Sequence, residues 1–310
     1  MAFHATTAAN NQARDYAHIV VEPLAGSLGA IVGGVDLATL SEGQMAEIRT
    51  ASDDHLVVFF RDQRLDPAQL EQFTRRWGEY GHDPFVTAMK DHPHVVRLVK
   101  EADEKQPVVF GGAWHSDWSF QACPPAYTIL YGVDTPAWGG DTLWCNMYLA
   151  TEHASETLRS MLGGVDAVHS PEMGYGPQAR HNELIENMDI AYGDEGVDTQ
   201  SHPLLCRHPR TGREVFAVNP VYTRTIAGMR PEESEAILAQ IYETATAPAH
   251  LCRFRWQSGS VAVWDNRCTM HLPLADYHGL RREMWRTTVA GEQPVAARPR
   301  LRSDHGIEST

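Results

Sequence analysis

The residues best suited to chemistry lie in the run Trp114-His115-Ser116-Asp117-Trp118-Ser119-Phe120. In a strand, side chains at i and i+2 point to the same face, so His115 and Asp117 can aim at one metal ion. Two ligands from one strand end plus a third from elsewhere make the 2-His-1-carboxylate set. That set leaves three neighbouring positions open on octahedral iron(II), enough for a bidentate cosubstrate and O₂. Spacing alone is unspecific, because with sixteen histidines about one His-x-Asp match is expected by chance. His181-Asn182-Glu183 is a second pattern of this kind, inside an acidic, glycine-dotted stretch, and reads as a solvated polar run.

Support for His115 comes from the C-terminal half. Trp264-Asp265-Asn266-Arg267-Cys268-Thr269-Met270-His271 ends in a histidine and is followed by Asp276-Tyr277, Arg281-Arg282 and Arg286. WHSDWSF, GGDTLW at Gly139–Trp144, HPRTGRE at His208–Glu214, WDNRCTMH and the final DY…RR…R stand in one order along the chain. Together they resemble the taurine dioxygenase/TfdA family of 2-oxoglutarate oxygenases, from roughly Val21 to Pro294.

The resemblance implies a mainly β double-stranded β-helix (jelly roll) with peripheral helices, and His115, Asp117 and His271 as iron(II) ligands. It assigns Thr142 and Arg282 to the carboxylates of the cosubstrate 2-oxoglutarate. A guanidinium fork suits that task, since it binds a carboxylate bidentately and stays charged. The resemblance also implies that Arg286 lies near the cosubstrate and can reach an anionic substrate head group, and four residues after Arg282 in a strand it should point to the same face. The implied reaction consumes O₂ and 2-oxoglutarate, releases succinate and CO₂, and hydroxylates a small anionic organic substrate. Asp117 favours oxygenation, because halogenating relatives lack that carboxylate. Trp285-Arg286-Thr287-Thr288-Val289 resembles the aryloxyalkanoate-cleaving members more than the taurine enzyme. His82 and Asp83 fall near the taurine enzyme's substrate-binding histidine without matching it cleanly. Aryloxyalkanoates, sulfonates and other carboxylates all stay open as substrates. The family also implies a homo-oligomer, a dimer or a tetramer.

The elements that must position these residues are mostly strands. Ile19–Val21 and Ala30–Val32 read as a pair, Leu56–Phe60 as a fully buried strand, and Val95–Val99, Tyr127–Val133, Cys252–Gln257, Val261–Trp264 and Met284–Ala290 as further strands. Helices are expected from Ser41, after the Asp66-Pro67 start, within Leu149–Leu162 and from Pro231. Many strands, with neither GxGxxG nor GxxxxGK, argue against a nucleotide-binding α/β sheet. Residues 1–16 are expected to be a flexible terminus, 17–297 one catalytic domain with a loop insertion near 170–200 acting as a lid, and 298–310 a flexible tail.

Composition bounds the rest. The chain has 310 residues and a formal net charge of −14, which repels a nucleic-acid backbone. The first twenty residues hold no continuous apolar segment and no run is long enough to span a bilayer, so a cytoplasmic location without membrane attachment is expected. Five cysteines without a CxxC pair argue against a disulfide framework or a zinc knuckle. Two other classes compete: a zinc hydrolase on the same His/Asp/His set, and a catalytically silent jelly-roll binding protein.

Overall fold

Capping residues set the start of the N-terminal helices, and buried β-branched and aromatic runs set the strands. A computed structural model of the chain describes residues 11–176, 179, 184–191 and 199–299. His181-Asn182-Glu183 lies outside the described residues, as does much of the segment expected to be a lid.

Strands β1 (Val20–Pro23) and β2 (Ala30–Gly33) pair antiparallel, as their apolar runs suggested. Helix α1 (Glu42–His55) starts at Ser41, whose hydroxyl accepts from the Gln44 amide while the Gln44 side chain answers the Ser41 N–H. Strand β3 (Val57–Phe60) is buried on both faces. Asp66 and Gln69 form the same reciprocal cap on α2 (Pro67–Trp77), with proline in the first turn. Then follow β4 (Ala88–Met89), β5 (His92–Lys100), β6 (Tyr127–Asp134) and β7 (Thr142–Asn146).

The single helix expected within Leu149–Leu162 is two, α3 (Met147–His153) and α4 (Glu156–Leu162). Ser155 breaks the run because its hydroxyl caps the second helix by accepting from the Leu158 amide at 3.1 Å. Next come β8 (Asp166–His169), α5 (Glu172–Tyr175), β9 (Gln200–Pro203), β10 (Leu205–Arg207), β11 (Glu214–Phe216) and β12 (Thr223–Ile226). Helix α5, and an isolated bridge between Val86 and Ile190, give regular structure to parts of the 170–200 segment. The chain ends with α6 (Pro231–Ala245), β13 (Leu251–Phe254), β14 (Val261–Asp265), β15 (Thr269–Pro273) and β16 (Arg282–Val289). Strand β13 stops at Phe254 rather than Gln257, whose amide turns to the Ser260 hydroxyl.

The protein is mainly β. Eight strands form one sheet in the order β1-β2-β3-β14-β6-β16-β5-β4, and β13-β7-β15 form a second. The two share a core in which Phe59 of β3 stacks on Phe254 of β13 at 4.1 Å and meets Trp144 of β7 edge-on at 5.2 Å. Phe59 is fully buried, so Phe59→Ala is expected to cost roughly 3–5 kcal/mol through lost burial and a residual cavity. Denaturant unfolding monitored by tryptophan fluorescence checks this.

The expected terminal segments are partly tied down. The buried Asn11 side chain donates to the carbonyls of Ala25 and Gly29, and Arg298 pairs with Glu214 and Glu156. No helix among the described residues is long and apolar enough to cross a membrane.

Candidate active site

His115 and His271 face each other across an isolated antiparallel bridge, each amide donating to the other's carbonyl at 3.1 and 2.8 Å. Their rings lie 4.1 Å apart, centroid to centroid. The i, i+2 argument needed a strand through Asp117, and the structure corrects it. After the bridge at His115 the chain turns, and Trp118 takes a left-handed conformation at φ 47°. That conformation is costly for a bulky residue, and such strain concentrates at functional sites. The turn swings Asp117 back so that its Oδ1 stands 3.6 Å from His115 Nε2. One ligand atom from each of His115, Asp117 and His271 fits within a mutual 4.8 Å, and all three residues are buried.

The protonation of this cluster suits a cation. His115 Nδ1 donates to the Ala113 carbonyl at 2.7 Å, which leaves the Nε2 lone pair directed towards Asp117. Burial, and then His115, push His271 down to about 3, so its ring is neutral near pH 7. Burial works to raise the Asp117 carboxyl, but His271, His115 and Arg286 outweigh it and hold the group below the usual carboxylate range. Two imidazoles and one carboxylate are a donor set for a divalent transition metal.

Residues around the three donors hold this set in place. Thr128 Oγ1 donates to Asp117 Oδ2 at 2.6 Å, and Asn266 Nδ2 donates to Thr128 Oγ1 at 2.8 Å. Asn266 Oδ1 accepts from the Asp117 amide and from Trp264 Nε1. Gly111 has φ 72°, and a Cβ there would come within 3.0 Å of the His115 ring. Asn266→Ala leaves Thr128 free to rotate away from Asp117. It is expected to weaken metal binding by about 10- to 100-fold, the usual cost of losing an outer partner of a ligand. Anaerobic titration with cobalt(II), followed by its visible absorption, checks this.

Arg282 also has room for a carboxylate. It is buried, with its guanidinium 5.9 Å from the Trp256 ring and 5.7 Å from that of Tyr277, and its Nε and Nη2 have no partner. Burial pulls its pKa down and Tyr277 partly offsets this. Unpaired buried guanidinium donors are costly, and a bound carboxylate would satisfy them. Gly140, at φ 67°, lets the backbone pass where a Cβ would sit 3.3 Å from Arg282. Thr142 Oγ1 accepts from Trp256 Nε1 at 3.0 Å, and its own proton is left to donate.

Comparisons with known proteins show the family. The family described as taurine catabolism dioxygenase TauD, TfdA family matches residues 21–288. The chain belongs to this family. An alkylsulfatase from Acinetobacter baylyi is 31% identical, with 88% of this chain and 86% of the relative covered. An alpha-ketoglutarate-dependent sulfate ester dioxygenase from Pseudomonas putida is also 31% identical, over 89% and 90%. The crystal structure of a taurine dioxygenase from Burkholderia xenovorans superposes with a TM-score of 0.76 at 35% identity, covering 90% of this chain and 93% of that one. This member of the family is a 2-oxoglutarate-dependent dioxygenase.

Family membership directs attention to the cavity beside the metal-type cluster. A space of about 320 Å³ is bounded by His115, Asp117, Trp118, Tyr175, Tyr222 and Arg286, with Val108, Val109 and Phe110 along one wall. That wall, with Ile185, is shared with a smaller cavity of about 40 Å³ that reaches Arg282 and Tyr277. Trp118 and Tyr222 are therefore pocket wall. Trp264 packs on His271 at 4.7 Å, and Trp114 packs on the core. Arg286 reaches the pocket on the same face of β16 as Arg282, but arrives already paired with Asp83.

His208, Asp265 and Cys268 form a second group of donor atoms within 4.8 Å. Asp265 already accepts from Arg267 at 2.6 and 2.8 Å and from His208 at 3.0 Å, and burial drives the Cys268 thiol well above its usual range. With a guanidinium in place and no accessible thiolate, this cluster fastens the turn that presents Asn266.

Proposed function

We propose that this dioxygenase holds iron(II) on His115, Asp117 and His271, anchors 2-oxoglutarate through Arg282 and Thr142, and hydroxylates a small organic substrate lodged against Trp118, Tyr222 and Arg286. The observation that carries this reading is a pairing. A buried His/Asp/His cluster and a buried guanidinium with vacant donors line two cavities that share Val108, Val109 and Phe110 as a wall. The facing sheets β13-β7-β15 and β3-β14-β6-β16 suit a double-stranded β-helix, and five free thiols, four of them buried, suit a reducing cytoplasm.

When bound, iron(II) with 2-oxoglutarate and O₂ supplies the oxidising power for C–H hydroxylation, with succinate and CO₂ as co-products. The chain's own residues do the positioning. The His115 Nδ1–H bond to Ala113 fixes the ring that presents Nε2. Thr128 occupies one oxygen of Asp117, which leaves the other to face the histidines. Arg282 and Thr142 supply charge and a hydroxyl to a carboxylate in a dry site, where such hydrogen bonds are strongest. Trp118, Tyr175 and Tyr222 exclude water from the reacting carbon. Hydroxylation at a carbon bonded to an ether or ester oxygen gives a product that collapses and cleaves.

The test loads the protein anaerobically with iron(II), admits 2-oxoglutarate and O₂, and reads succinate against a panel of sulfate esters, sulfonates, aryloxyalkanoates and their uncharged analogues. Succinate release stimulated by one class, and lost in His115→Ala, is expected. Failure to bind 2-oxoglutarate or release succinate under any condition refutes the reading.

A further inference from the structure

Resting on that reading, we infer that Asp83 sets the substrate class: the pocket takes an uncharged organic molecule that offers a hydrogen-bond acceptor to Arg286, rather than an anion.

Among the described residues, Arg286 is the only Lys or Arg side chain lining the cavity beside the His/Asp/His cluster. A lone buried guanidinium would be a seat for a sulfonate, sulfate or carboxylate. It is not alone. The Asp83 carboxylate pairs with Arg286 Nη2, and both side chains are almost wholly buried, at 11% and 5% exposure. Asp83 is also held from its own side, because its Oδ1 accepts from the Val86 amide at 3.2 Å. It approaches Arg286 from a separate cavity lined by Gly81, His82 and Val86, so it neutralises the arginine without filling the substrate space.

The charges then balance without a substrate. The divalent cation and the dianionic cosubstrate cancel, Asp117 offsets Arg282, and Asp83 offsets Arg286. A substrate anion would enter a dry site as an uncompensated charge, which is expensive in a low-dielectric interior. An uncharged molecule carries no such penalty. Arg286 still has an acceptor to find, because its Nε is buried without a partner. The rings of Phe110 and Trp118, 5.5 and 5.3 Å from the guanidinium carbon, give the rest of the ligand an apolar bed.

The experiment uses iron(II)- and 2-oxoglutarate-loaded protein under anaerobic conditions, so that binding is measured by calorimetry without turnover. The probes are matched pairs: phenoxyacetamide against phenoxyacetate, and hexyl methyl sulfone against hexanesulfonate. In the unmodified protein the uncharged member is expected to bind at least about tenfold more tightly, a modest fraction of one uncompensated buried charge. Asp83→Asn should reverse the order. Tighter binding of the anions by the unmodified protein overturns the inference, as do equal affinities, including none measurable for either member. The comparison in the unmodified protein decides the matter even if Asp83→Asn does not fold. The preliminary 2-oxoglutarate titration separates failures: no cosubstrate binding refutes the dioxygenase site, whereas cosubstrate binding with anion preference refutes only the role of Asp83.

Discussion

Asp117→Ala is expected to reduce iron(II) affinity by more than ~100-fold, beyond what loss of an outer partner costs, and to take succinate release with it. The argument is electrostatic as much as geometric. Asp117 is the only carboxylate among the three clustered donors, and its neighbours hold it ionised despite complete burial. Without it, a divalent cation would meet two imidazoles and no carboxylate in a low-dielectric site, and the Arg286 charge would lose an opposite partner nearby. Thr128 Oγ1 would also lose its acceptor. The fold should survive, since Thr128 and the Asp117 backbone amide keep partners in Asn266. Thermal unfolding of the metal-free variant should therefore stay close to that of the unmodified protein, while the shift on adding cobalt(II) disappears. Wild-type metal affinity in Asp117→Ala would mean that the cluster is not the metal site.

Which of these residues could be found without coordinates follows from what each does. His115, Asp117, His271, Thr142 and Arg282 contribute an atom that only a few residue types possess, so identity and order along the chain mark them. Thr128, Gly111 and Asp83 act through position. Thr128 is an ordinary β-branched strand residue whose hydroxyl matters only because the turn at Trp118 brings Asp117 beside it. Asp83 meets Arg286 across 203 residues of sequence. The sequence placed Arg286 and Asp83 separately near the substrate, but not the pairing between them. Strands with unbroken apolar runs, such as Val57–Phe60, were legible because burial on both faces leaves little else for them to be. The i, i+2 rule placed His115 and Asp117 together for a reason that does not operate here, since a strained turn does the work of strand alternation. The helix after β7 was read as one because apolar spacing continues through Ala154, while the cap formed by Ser155 depends on a backbone bend.

Arg282→Leu is expected to move affinity and stability in opposite directions. Removing one partner of a buried, hydrogen-bonded charge pair costs about 2–5 kcal/mol, so 2-oxoglutarate binding should weaken by more than ~30-fold and succinate release should fall with it. In the absence of cosubstrate the same guanidinium is a burden: it is buried, its Nε and Nη2 lack partners, and burial already depresses its pKa. Leucine fills part of the space between Trp256 and Tyr277 without a charge to bury. Relief of an unsatisfied buried group of about 1–3 kcal/mol should raise the melting temperature of the cosubstrate-free protein by a few degrees. Differential scanning calorimetry with and without saturating 2-oxoglutarate separates the two effects, because only the unmodified protein should be stabilised by the ligand. A variant that melts lower than the unmodified protein and still binds 2-oxoglutarate would show that Arg282 is a packing residue. A higher melting point with lost binding would identify a group kept unsatisfied in the free protein so that a carboxylate can complete it, the trade of stability for function expected where a site must wait for its ligand.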